Sequence, residues 1–166
     1  MWEKIEKHFK GYPSQMRVAQ VLFKRGLCVK GSEVTCGGVR ISDTALAEAA
    51  QTDRRTVLAT LATIKAAKEL ADIFSDLEPV CSFKNVASHM GWGVLEILPD
   101  NVSRPGILAD ITKIIADCGI SIRQVIADDP DMSETPKAFI ITERPIPPRL
   151  LPRIKEVKGV KGVVIM

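Results

Sequence analysis

The chain has 166 residues, 46% of them hydrophobic, and 23 basic against 20 acidic side chains give a net charge of +3. That length allows one domain or two small ones, and that apolar content excludes global disorder. No apolar run approaches the ~20 residues of a membrane-spanning helix, and the charged start Met-Trp-Glu-Lys-Ile-Glu-Lys lacks a signal peptide's apolar core, so a soluble cytoplasmic protein is expected.

Trp2, Ile5 and Phe9 recur at helical spacing, which predicts a short amphipathic helix over residues 2–10. Gly11-Tyr-Pro13 breaks it. A second helix runs from Ser14 to Arg25, with Met16, Ala19, Leu22 and Phe23 inward and Gly26 as its stop. Leu27–Val29 and Val39–Ile41 are β-prone, and the turn formers between Gly31 and Gly38 predict a small hairpin. Cys28 and Cys36 could face each other across it. None of the four cysteines has CxxC spacing, so free thiols in a reducing compartment are expected.

Ser42 can cap a short helix that ends near Ala50, and Thr52 or Asp53 can cap the next one. Two helices joined this closely, with the small Ala47 between them and Leu46, Val57 and Leu61 as shared core, follow a helix-turn-helix pattern. The second helix of such a motif meets DNA with its N-terminal residues. The candidate DNA-binding residues are therefore Thr52, Arg54, Arg55 and Thr56, with Lys65 further along. Arginine pairs with guanine edges or holds phosphates. Residues 1–90 carry 13 basic and 10 acidic side chains, whereas the rest carry 10 of each. The positive excess thus lies in the half with the motif, and a polyanionic partner such as double-stranded DNA is expected there. Helical spacing continues over 66–77 through Leu70, Ile73, Phe74 and Leu77, and Glu78-Pro79 ends it. Phe83 to Met90 reads as a connector, with Gly91 and Gly93 lending the two halves freedom to reorient. The domain reading is 1–78 mainly helical, 79–91 linker and 92–166 α+β.

From Trp92 onward the order is strand, helix, strand, strand, helix, strand, the split βαβ or ferredoxin-like arrangement. The strands are Trp92–Leu98, Ile120–Ala127, Lys137–Thr142 and Val160–Met166. The helices are Pro105–Asp117 and Pro148–Val157, the second distorted or delayed by Pro152. Gly106 opens a helix N-terminus, where uncovered N–H groups suit the carboxylate of a small ligand. The acidic connection Asp128–Pro136 could cover a ligand or bind a cation, but clustered Asp on a loop is more often simply solvated, and its spacing does not match a calcium loop.

Ser103-Arg-Pro-Gly-Ile-Leu108, followed by Ala116-Asp-Cys-Gly-Ile-Ser-Ile122, resembles the ACT domain, the small regulatory module of amino-acid metabolism. Ser103 and Ser121 stand where that family usually has Asn or Asp and Asn. The resemblance implies side-by-side pairing of two copies, a homodimer, with an amino acid bound at the seam. Asp100, Asn101, Ser103, Gly106 and Ile107 would line that site, with Gln124 opposite. Asp100 or Asn101 would take the ammonium. Nearly the whole chain is similar to predicted archaeal regulators of amino-acid metabolism, through Ser42-Asp-Thr-Ala-Leu-Ala, Asp53-Arg-Arg-Thr-Val-Leu-Ala-Thr and Met90-Gly-Trp-Gly-Val-Leu-Glu-Ile97.

These readings together predict an amino-acid-responsive transcriptional regulator. The alternative is a regulatory subunit that binds an amino acid and docks on a biosynthetic enzyme. No nucleophile–base pair, metal-ligand cluster or phosphate-binding glycine loop is visible, so no catalytic residue, metal or cofactor is expected.

Overall fold

A computed structural model describes residues 2–166. The chain is a mixed α+β protein that divides into two compact units, Met1–Cys81 and Ser82–Met166. Among the described residues no helix is long and apolar enough to cross a membrane.

The first unit begins with α1 (Trp2–Glu6), which tightens into a 3-10 turn over Lys7–Phe9. Helix α2 (Pro13–Lys24) has proline in its first turn, where a missing N–H costs nothing. A three-stranded antiparallel sheet follows: β1 (Cys28–Lys30), β2 (Glu33–Cys36) and β3 (Val39–Ile41). The expected single hairpin is therefore two. Gly31-Ser32 and Gly37-Gly38 are each two-residue turns, closed by the pairs Lys30↔Glu33 and Cys36↔Val39. Between them Val34 turns into the core. Cys28 stands opposite Thr35 and Cys36 opposite Val39, so the two thiols do not face each other.

Helices α3 (Asp43–Ala49), α4 (Arg54–Ala66) and α5 (Lys68–Ser75) complete this unit. The break between α4 and α5 falls at Ala67, whose ψ of 108° leaves the helical region. Ile5, Phe9, Val18, Leu22, Leu46, Val57, Leu61, Ile64, Leu70 and Phe74 form one core. Phe23 bridges it edge-to-face, with ring centroids 5.7 Å from Trp2 and 6.4 Å from Phe74.

The second unit is built on a four-stranded antiparallel sheet in the order β5-β6-β4-β7. Its elements are β4 (Gly93–Pro99), α6 (Ile107–Ala116), β5 (Ile122–Ala127), β6 (Ala138–Thr142), α7 (Leu151–Lys155) and β7 (Val160–Ile165). A 3-10 turn, Pro148–Leu150, leads into α7 and sets Pro152 in its first turn, which explains the delayed start. Both helices cover one face of the sheet. Ile107, Ile111, Ile115 and Ile154 pack there on Leu95, Ile97 and Ile140.

Residues 82–91, read from the sequence as connector, belong to this second unit. A 3-10 turn, Ala87–Met90, buries Ala87 completely against Val94, Phe139 and Ile141 on the other face of the sheet. Phe83 and Trp92 join that cluster edge-to-face at 5.8 Å. Central strand β6 is thus covered on both faces, which is why it reads Ala-Phe-Ile-Ile-Thr without alternation. Nor is Gly93 a swivel: it lies buried at the start of β4.

Candidate functional site

Strand β4 ends at Pro99, and the chain takes seven residues to reach the first helical position of α6 at Ile107. The turn between them holds itself in shape. Asn101 Oδ1 accepts the Ser103 N–H at 2.9 Å, and the Arg104 N–H donates to the Asn101 carbonyl at 3.1 Å. The Asp100 N–H donates to the Gly159 carbonyl at 2.9 Å, which ties the turn to the entry of β7. Gly106 then adopts φ +97°, a left-handed conformation that disfavours any side chain, and no side chain caps α6.

This turn forms one wall of a cavity of about 270 Å³. The other walls are Ile97 at the end of β4 and the facing ends of β5 and β6, Ala127 and Ala138, which stand opposite each other in the ladder. Gly106 and Ile107 line the cavity. Asp100, Asn101 and Ser103 sit on the turn without lining it. Gln124 lies elsewhere. It shares the face of Ile141, away from α6 and α7, and its Oε1 accepts the Phe83 N–H at 2.9 Å. The cause is a register shift between Ile122 and Gln124, which turns over the side-chain alternation of β5.

Three charged groups line the cavity, Arg104, Asp128 and Lys137; Arg104 and Lys137 are not among the expected site residues, and Asp128 begins the acidic connection. Lys137 Nζ donates to Glu96 Oε1 at 2.7 Å, a pair in which the glutamate side chain is only 16% exposed. The Asp128 N–H donates to the Lys137 carbonyl at 2.8 Å, and Asp128 Oδ2 accepts the Lys137 N–H at 3.1 Å. This double clasp joins the two ends of the acidic loop at the cavity's edge. Arg104 makes no ion pair among the described residues, so its guanidinium is the cation left available. A largely apolar hollow with one uncommitted cation, one carboxylate and a helix N-terminus suits a small molecule that carries both charges. At about 270 Å³ the cavity lies just below the ~300–1,000 Å³ of drug-sized sites.

In the first unit the α3–α4 corner is sharply defined. The Gln51 N–H donates to the Glu48 carbonyl at 3.1 Å, and the Thr52 N–H to the Ala47 carbonyl at 2.9 Å. That pair of bonds requires a left-handed residue between them, and Gln51 supplies it at φ +51°. A non-glycine residue there is strained. Arg17 of α2 holds the strained turn: its Nε donates to the Ala50 carbonyl at 3.2 Å and its Nη2 to the Gln51 carbonyl at 3.3 Å. Gln51→Gly is expected to relieve about 1 kcal/mol and to raise the melting temperature of the first unit by roughly 4 °C or more, measured by circular dichroism.

Of the two candidate caps for α4, Asp53 is the one used. Its Oδ1 accepts the Thr56 N–H at 2.9 Å and its Oδ2 the Thr56 hydroxyl at 3.1 Å. These bonds from Thr56, backbone first, hold the Asp53 carboxyl below its ordinary pKa, and the Arg55 charge adds to them. Thr56 is thereby committed to the cap. Arg54 Nε donates to Asp43 Oδ2 at 3.2 Å, back across the corner to α3. Arg55 and Lys65 are exposed and make no ion pair among the described residues. Thr52 is half-buried. Between Arg55 and Lys65, the outer face of α4 shows Leu58, 45% exposed, with Ala59 and Ala62.

No family model and no curated protein matches the sequence. Among solved structures, a homoserine dehydrogenase from Thiobacillus denitrificans is similar at 22% identity, with a TM-score of 0.36. The match covers 69% of this chain and spans 28% of the dehydrogenase chain.

Proposed function

We propose that this protein is an amino-acid-responsive regulator of transcription. In this reading α4 is the DNA-reading helix, and the cavity beside α6 takes a small amino acid. The observation that carries it is the corner at Gln51. A left-handed turn locked by Arg17 fixes α3 against α4, and the outer face of α4 is left with Arg55 and Lys65, neither in an ion pair among the described residues. Arg55 is the residue best placed to meet a guanine edge, because Arg54 is partly held by Asp43. Ala59 and Ala62 offer small apolar contacts for thymine methyl groups.

The second unit would supply sensing and pairing, as its resemblance to the ACT module implies. Arg104 and the first turn of α6 would hold the ligand carboxylate, and Asp128 its ammonium. Two paired copies would match a palindromic operator. A coupling of ~1–3 kcal/mol between ligand and DNA would change operator affinity by one or two orders of magnitude.

A gel-shift titration at fixed salt, with and without single amino acids, tests this reading. Arg54→Ala combined with Arg55→Ala is expected to weaken binding to a selected duplex at least about tenfold, since a specific arginine contact is worth ~1–3 kcal/mol. Equal, weak binding to every duplex, unchanged in the double variant, rejects it. The exposed Leu58 favours a second reading, in which the α4 face docks on a biosynthetic enzyme. Stoichiometric co-purification of an enzyme, abolished by Leu58→Glu, selects that one instead.

A further inference from the structure

We infer that the groove between α2 and the α3–α4 turn is a seat for the phosphate backbone of duplex DNA, with Lys24 and Arg25 as its charges. This rests on the DNA-reading proposal above and adds a contact surface outside α4. The groove holds about 250 Å³, and its polar lining is Arg17, Gln20, Lys24, Arg25 and Gln51. No carboxylate lines it.

The three cations have different duties. Arg17 is committed to the carbonyls of Ala50 and Gln51. Lys24 and Arg25 are exposed and make no ion pair among the described residues. A basic residue at a helix C-terminus also complements the helix dipole, and Lys24 stands in the last turn of α2. That local role does not account for a concave surface with three cations and no acid on it. The wall of the groove is Ala50 and Gln51, the same turn that starts α4. A strand of phosphates seated here would lie against the turn that leads into α4. Lysine and arginine hold a phosphodiester by charge, and the Gln20 amide adds a neutral donor. Such contacts fix position and carry no sequence preference.

The test is fluorescence anisotropy on the full chain with a short duplex of arbitrary sequence, titrated between about 50 and 200 mM salt. Each neutralised phosphate adds about 0.9 to the slope of log affinity against log salt. Lys24→Ala combined with Arg25→Ala is expected to lower that slope by about two and to cut affinity at ~0.1 M salt on the order of tenfold to a hundredfold. The melting temperature should hold, because both side chains are exposed. Lys155→Ala combined with Lys158→Ala, a charge-matched change in the second unit, should leave the slope as it is. A wild-type slope in the Lys24/Arg25 variant overturns this inference and leaves the DNA-reading proposal standing. Wild-type protein that shows no salt-dependent binding to the duplex overturns both.

Discussion

Gly93→Ala is expected to lower the melting temperature of the second unit by roughly 10 °C or more, the equivalent of about 3 kcal/mol of overpacking in a unit of this size. A β-carbon at Gly93 would lie 2.6 Å from Thr142 Oγ1, 2.8 Å from the Arg144 carbonyl oxygen and 3.0 Å from the Ile146 nitrogen. Two of those three atoms are main chain and cannot rotate away. The third is no freer. Thr142 is fully buried, and its hydroxyl donates to the Arg144 carbonyl at 2.7 Å. Turning it aside would break that bond and leave a buried polar group unsatisfied. The methyl group must instead push the 142–146 turn outward. That turn delivers Ile146 and Leu150, 2% and 3% exposed, to the core under α6 and α7. Scanning calorimetry reads the result directly. A melting curve that coincides with wild type would mean that the turn yields without cost and that β4 does not anchor it. Loss of stability here should also remove any amino-acid response, since β4 ends at the cavity wall.

The parts of this fold that announce themselves in sequence are those governed by local chemistry. Gly26 and Gly119 each stop a helix with the paired bonds of a left-handed cap, and both positions follow from glycine after an amphipathic run. The isoleucines of α6 fall at helical spacing because one stripe must cover a sheet. What the sequence does not mark depends on partners distant in the chain. Strand β2 is four residues between two glycine turns, and turn-rich composition on both sides hides it. The end of α4 at Ala67 has neither proline nor glycine to mark it. Arg104, Asp128 and Lys137 meet at one cavity only because Ala127 pairs with Ala138 and the β4–α6 turn folds toward that ladder end. Gln124 is expected at the site only through the ACT resemblance; one irregular residue in β5 sets its face, and no sequence pattern marks such a slip. The left-handed Gln51 is the converse case. The turn has no glycine, yet its left-handed geometry forms anyway, and Arg17 of another helix bonds to its carbonyls.

Gly26→Ala should be at least as damaging to the first unit, and for two separable reasons. Gly26 sits at φ +61°, where an L-residue costs about 1–2 kcal/mol. Its N–H donates to the Phe23 carbonyl at 3.1 Å while the Leu27 N–H donates to the Leu22 carbonyl at 2.9 Å, so the conformation cannot relax without opening the end of α2. Added to that is contact. A β-carbon would lie 2.5 Å from the Glu78 carbonyl oxygen, 2.8 Å from its carbon and 2.9 Å from the Pro79 nitrogen, all main chain. Overpacking of this kind costs about 1–3 kcal/mol more. Gly11→Ala separates the two effects, since Gly11 is also left-handed, at φ +86°, but has nothing within 4 Å of its would-be β-carbon. If thermal melts show Gly26→Ala costing no more than Gly11→Ala, the Glu78–Pro79 segment is loosely held and the packing half of the argument fails. If the excess appears, the end of α2 is clamped between a left-handed cap and the returning chain. Lys24 and Arg25 then stand on a rigid support, and under the proposed phosphate seat Gly26→Ala, although it removes no charge, should weaken any duplex binding the wild type shows by displacing them.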